Sequence, residues 1–207
     1  MENKIICIGR EFGSGGHEIA VRLGQRLNIK VYEKDILHLA CKYGELQVKK
    51  LESSDEKATN PYLFETVHEG NYHVMRGMPT SEVLFALQSH EIRRLAEKEA
   101  CIFVGRCADY VLKDTDAKVL SVFVSAPLEQ RIQRKMELER LSHLKAKRLV
   151  KKMDCQRQKY YEHYTGRIWG DRKNYDFYID CGQMSVEEAV EKIAGAYEGS
   201  AAMCSLP

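Results

Sequence analysis

Apolar positions in this chain fall into two rhythms. Unbroken runs at Ile5-Ile6-Cys7-Ile8, Cys101-Ile102-Phe103-Val104 and Val119-Leu120-Ser121-Val122-Phe123-Val124 read as strands buried on both faces. Lys30-Val31-Tyr32 and Phe177-Tyr178-Ile179-Asp180 add two shorter ones. Between them apolar residues recur at helical spacing: Ile19, Ala20, Leu23 and Leu27; Ile36, Leu37, Leu39 and Ala40; Val186, Ala189, Val190, Ile193 and Tyr197. Thr80 is placed to N-cap a helix reaching about Glu99, Pro127 suits a first helical turn, and Ser142 is a further cap. Ser185-Val186-Glu187-Glu188 has the form of a capping box. Residues 45–79 are polar, contain Pro61 and Pro79, and read as an inserted helical or mobile segment. Strands alternating with helices predict an α/β fold with a parallel sheet covered on both faces, in one domain.

The turn after the first strand carries candidate chemistry. Arg10-Glu11-Phe12-Gly13-Ser14-Gly15-Gly16-His17 lies between strand and helix, where a glycine-rich loop presents backbone N–H groups to phosphate oxygens. Against the pattern GxxxxGK[ST], Gly15 matches the second glycine. Arg10 replaces the first, Gly16 the lysine and His17 the Ser/Thr. The loop with its first helical residues, Gly13, Ser14, Gly15, Gly16, His17 and Glu18, is therefore the candidate ATP site, lacking its usual cation. Arg10 is the first candidate to replace that charge and a protonated His17 the second.

Composition changes this picture little. Of 207 residues 44% are apolar and 30% charged, the profile of a globular protein. No apolar run approaches the roughly 20 residues that cross a bilayer, and the N-terminus lacks a signal-peptide core. The seven cysteines are scattered, form no CxxC pair and have no zinc-finger spacing, which suits a reducing, cytoplasmic setting. The net charge is +2, yet residues 131–173 hold fourteen Lys and Arg against five Asp and Glu, a local +9. Such a block fits a phosphate-bearing partner or a solvated helical face. Within it Leu149, Met153, Arg157, Tyr160 and Tyr164 fall inside about an 80° arc of one helix, so Arg157 either snorkels or turns into a polar cleft. Trp169 and the neighbouring tyrosines read as packing residues or as a base-stacking surface. His38, His90, His143 and His163 have no carboxylate or cysteine at ligand spacing, and no metal-ligating set is identified.

The chain resembles the cytidylate kinase-like family. The resemblance rests on Gly-Arg-Glu-Phe-Gly-Ser-Gly-Gly from Gly9, Val31-Tyr32-Glu33-Lys34-Asp35, Val104-Gly105-Arg106, the run from Val122 through Arg131 to Arg134, and Ile179-Asp180-Cys181-Gly182-Gln183-Met184-Ser185. It implies a three-layer P-loop NTPase fold with a five-stranded parallel sheet, a helical monophosphate-binding insert and an arginine-bearing lid. The core would be 1–35, 80–140 and 174–199, the insert about 36–79 and the lid about 142–173. The implied reaction is phosphoryl transfer from ATP, with Mg2+, to CMP or dCMP. On this resemblance Arg106 contacts the acceptor phosphate, with Glu33, Asp35 and Asp154 as further acceptor-side residues. Arg131 and Arg134 serve ATP, and Arg157 and Arg167 are lid arginines acting with Arg10 in catalysis. Cys107 stands where relatives carry an Asp.

Other readings stand beside this one: a kinase for a different acceptor, a nucleotide-binding sensor that has lost turnover with its lysine, and nucleic-acid binding by the basic block. The last is weakest, because no RNA-binding signature accompanies the charge. Small-molecule nucleotides are the expected partners, with no membrane, and nothing fixes an oligomeric state.

Overall fold

A computed structural model describes residues 4–44, 55–57 and 79–202. The expected insert lies largely outside these residues. Five strands, β1 (Lys4–Arg10), β2 (Lys30–Tyr32), β3 (Cys101–Val104), β4 (Lys118–Ser125) and β5 (Phe177–Asp180), form one sheet in the order β2-β3-β1-β4-β5. Every pairing is parallel. The described helices are α1 (Gly16–Leu27), α2 (Asp35–Tyr43), α3 (Thr80–Lys98), α4 (Ala108–Val111), α5 (Leu128–Glu139), α6 (His143–Thr165) and α7 (Val186–Ala202).

Alternation along β1 divides the core. Ile6 and Ile8 pack with Ile19 and Leu23 of α1 and Ala189 and Ile193 of α7. Ile5 and Cys7 face the other way, against Ile36 of α2, Ile92 and Leu95 of α3 and Val111 of α4. Both faces are covered, which is why these strands read as unbroken apolar runs. Cys7, Cys41, Cys101 and Cys107 are buried free thiols in this packing.

Helix ends follow local chemistry. Ser185 and Glu188 form the expected capping box, with Glu188 N–H donating to Ser185 Oγ at 3.2 Å and Ser185 N–H donating to Glu188 Oε2 at 2.7 Å. Thr80 is the first residue of α3 rather than its cap. Extended Pro79 takes the cap position, and its carbonyl accepts from the N–H groups of Glu82 and Val83 at 3.0 and 3.1 Å. α6 starts directly after Ser142, the expected cap position, and ends at Gly166, whose φ of 68° reverses the chain.

The order β2-β3-β1-β4-β5 positions the site. The chain leaves β1 towards β2 on one side and leaves β4 towards β5 on the other. A crevice therefore opens where the carboxyl ends of β1 and β4 meet, the place where ligands bind in such sheets. Glu11 N–H donates to Val124 O there, at 3.0 Å.

Candidate active site

The glycine turn fills that crevice. Gly13 and Gly15 hold φ of 83° and 97°, and α1 starts at Gly16. Ser14 is buried, with its N–H and Oγ both donating to Glu11 O, at 3.3 and 2.9 Å, so its hydroxyl braces the turn. Phe12 N–H donates to Asp154 Oδ1 at 2.8 Å. The first-turn N–H groups of Gly16, His17 and Glu18 have no acceptor inside the helix and give an anion cradle at the positive end of α1.

Arg131 bolts the loop to α5. Its Nε donates to Ala126 O at 2.9 Å and its Nη1 to Phe12 O at 3.3 Å, and it pairs with Asp154 and Glu11. Asp154 thus lies on the loop side, clamped between Arg131 and the Phe12 amide, and not beside Arg106. One turn beyond Arg131, Arg134 hangs over the loop: a Cβ at Gly15 would collide with its Nη1. Loop, Lys34, Arg134, Lys135 and Arg157 enclose a groove of about 350 Å³.

Arg10 behaves differently from its expected role as the loop's free cation. It is 6% exposed, donates from Nη1 to Glu56 Oε1 at 2.8 Å, and from Nη2 to Glu33 Oε1 at 3.2 Å and Glu56 Oε2 at 3.3 Å. Its stem lies along Gly16, where an added Cβ would meet Arg10 Cβ at 2.6 Å and Cγ at 3.1 Å. Glycine at the lysine position therefore has a steric reason: the arginine at the first-glycine position takes the room.

A second, inner cavity of about 30 Å³ lies behind the loop, lined by Arg106, Cys107, Asp109, Tyr160, Tyr161 and Trp169 among others. Arg10 and Arg157 line both spaces. Arg106 is 3% exposed and donates to Val104 O at 3.1 Å and to Asp55 Oδ2 at 2.6 Å, leaving its Nε without a partner. Arg157 turns into the cleft, with Nη1 donating to Arg10 O at 3.2 Å and its guanidinium 5.4 Å from the Phe12 ring centre. Burial first, then Arg10, pulls its pKa down to about 10.

Glu56 is the common counter-ion. Besides Arg10 it accepts from Arg106 N–H at 3.4 Å and lies 3.8 Å from Arg157 Nε. Burial pushes its carboxyl up, but Arg10, Arg106 and Arg157 outweigh this and hold it well below the usual carboxylate range. Glu33, shared by Arg10 and His17 Nδ1 at 2.6 Å, is likewise held below its ordinary value against the pull of burial. Tyr161 OH donates to Asp109 Oδ2 at 2.8 Å, and burial raises the Asp109 pKa.

The remaining expected residues lie at the margins. Glu18 is partly exposed at the rim of the groove, which it lines, and pairs with Arg22 at 2.6 Å and Arg134 at 3.7 Å. Asp35 opens α2, is exposed, and lines neither space. Arg167 lies 5.3 Å over the Tyr110 ring, on the aromatic side and away from the loop. Tyr160, Tyr161 and Trp169 pack around Cys107, as the packing reading has it. His143 and His163 meet Glu129 at 2.8 Å and Glu82 at 3.0 Å, partners from other helices that chain spacing does not reveal. Asp55, Glu56 and Asp109 escaped the sequence reading. The first two sit in a segment without periodicity, and their adjacency was the one available signal.

A model of the cytidylate kinase-like family matches residues 5–183. The chain belongs to that family. This cytidylate kinase-like chain is similar to an uncharacterized protein from Eubacterium ventriosum, with 29% identity over 95% of this chain and 99% of that one and a TM-score of 0.71. It shares its fold with shikimate kinase from Bacteroides thetaiotaomicron, at 11% identity, coverage of 94% and 98%, and TM-score 0.54. It also does so with APS kinase from Mycobacterium tuberculosis, at 16% identity, coverage of 95% and 98%, and TM-score 0.53. A search of the curated proteins found no match. The three-layer P-loop fold of the cytidylate kinase-like chain is thereby established, and among its described residues no helix is long and apolar enough to cross a membrane.

Proposed function

We propose that this protein transfers the γ-phosphoryl group of ATP to a nucleoside monophosphate, with CMP or dCMP the first candidates. The observation that carries this reading is the shared wall. Arg10 and Arg157 line both the groove over the glycine loop and the inner cavity holding Arg106, so a phosphoryl group crossing between two bound phosphates meets guanidinium on both sides. Phosphoryl transfer asks a protein for positioning and positive charge more than for covalent chemistry. The loop amides would hold the triphosphate, Arg157 the group in flight, and Arg106 the acceptor phosphate.

Magnesium, if bound here, would neutralise phosphate charge during the transfer and would need one or two carboxylates from the protein. Glu33 at the groove wall fits that need. His17, at the Ser/Thr position, offers nitrogen where this ion takes oxygen.

An ADP-release assay across CMP, dCMP, UMP, AMP and GMP tests the proposal. Turnover with one pyrimidine monophosphate supports it, and no turnover with any acceptor overturns it. A second reading, a nucleotide sensor with little or no turnover, draws on the fact that Arg10 is fully engaged by Glu33 and Glu56. Tight ATP binding without ADP release would favour that one.

A further inference from the structure

We infer that Arg134, reaching across from α5, is the cation that serves the β- and γ-phosphates in place of the P-loop lysine; the inference rests on ATP being this groove's ligand. Three observations converge on it. A lysine at position 16 would force Arg10 to shift, because its Cβ would lie 2.6 Å from Arg10 Cβ, and neither atom is the free end of a flexible chain. The obvious substitutes are occupied. Arg10 is held by Glu33 and Glu56, Arg131 by Asp154, Glu11 and two carbonyls, and His17 by Glu33. Lys135 pairs with Glu139 at 2.8 Å and lies 4.2 Å over the Phe12 ring, while Arg157 holds Arg10 O.

Arg134 has the opposite character. Its side chain is 34% exposed and its ion pair with Glu18 is long at 3.7 Å. Its guanidinium occupies the space a side chain at Gly15 would fill, directly over the loop whose amides make the cradle. Gly15 therefore serves two ends: it adopts the left-handed turn at φ 97°, and it leaves room for an arginine from another helix. Arg131, one turn earlier on α5, fixes that helix to the loop and so sets where Arg134 hangs. A planar fork can meet oxygens of two phosphates at once, which a lysine ammonium does as a point charge. In the transfer, the bond from Pγ to the β–γ bridging oxygen breaks, its electron pair stays on ADP, and Pγ bonds an acceptor phosphate oxygen. Arg134 would carry the charge gathering on the ADP side.

Calorimetric binding of ATP, tripolyphosphate and AMP to wild type, Arg134→Gln, Arg134→Lys and Lys34→Ala tests this. Expected is a ten- to hundredfold loss of ATP and tripolyphosphate affinity in Arg134→Gln with AMP unchanged, largely restored in Arg134→Lys. Lys34→Ala tests another cation lining the same groove, and the inference requires its loss of tripolyphosphate affinity to be well below that of Arg134→Gln. An equal loss for AMP would mark Arg134 as an adenine contact, and a triphosphate-selective loss in Lys34→Ala would move the role there; either overturns the inference, as does wild type that binds no tripolyphosphate. Wild type and variants that follow the expected binding pattern yet release no ADP would instead sink the kinase reading alone.

Discussion

Glu56 is the residue on which the arginines depend. The guanidinium groups of Arg10 and Arg157 and the backbone N–H of Arg106 meet one largely buried carboxylate, and removing it leaves the two guanidinium charges facing each other with less compensation. Glu56→Gln should destabilise the protein by about 3 kcal/mol at pH 7, the scale of breaking a buried ion pair. Because the folded-state pKa of Glu56 is depressed from 4.5, its contribution is present above that value and is lost as pH falls below it. The difference between wild type and Glu56→Gln, measured by urea unfolding, should therefore narrow below pH 4.5; a constant gap would contradict it. Gly16→Ala offers a second check: overpacking against Arg10 should cost about 1–3 kcal/mol and weaken ATP binding with it. At this scale the sequence revealed what is local. The glycine turn and Arg157 on an apolar helical face were both legible, whereas the pairing of Arg10 with Glu56 spans 46 residues and leaves no pattern in the chain.

Among the elements, α6 does most to join distant parts. Its middle presents Asp154 to the loop and Arg157 to the cleft, and its end presents Tyr160 and Tyr161 to the inner cavity. Asp154→Asn should loosen the Arg131 clamp and lower ATP affinity about tenfold while leaving CMP affinity nearly unchanged. The reverse pattern in the two titrations would put Asp154 on the acceptor side, as the family resemblance has it. Arg157→Ala should lower kcat by about a hundredfold with a smaller change in ATP affinity, and equal effects would contradict a transition-state role. Ser185→Ala, far from the site, should cost about 1 kcal/mol by removing half of the capping box. Strands were legible as elements because burial on both faces makes them continuously apolar. The start of α3 slipped by one residue because a proline with extended backbone can hold the cap position without any side-chain acceptor.

Across the whole molecule, strand order was beyond the pattern of residues, since pairing β1 between β3 and β4 is decided by contacts about a hundred residues apart. Five apolar runs alternating with helices supplied the expectation of a parallel sheet, and the crossover at β1 and β4 explains why the loop after β1 and the helix after β4 share a site. The inner cavity, at about 30 Å³, has room for water and none for a nucleobase. On the proposed function, an acceptor phosphate reaching Arg106 would have to displace the Asp55 carboxylate that now holds it. The hydrogen bond from Arg157 to the carbonyl of Arg10 joins the two spaces through a single peptide group. On the proposed function two ligands would grip opposite sides of one wall, and whatever factor ATP imposed on acceptor affinity, the acceptor would return in equal measure.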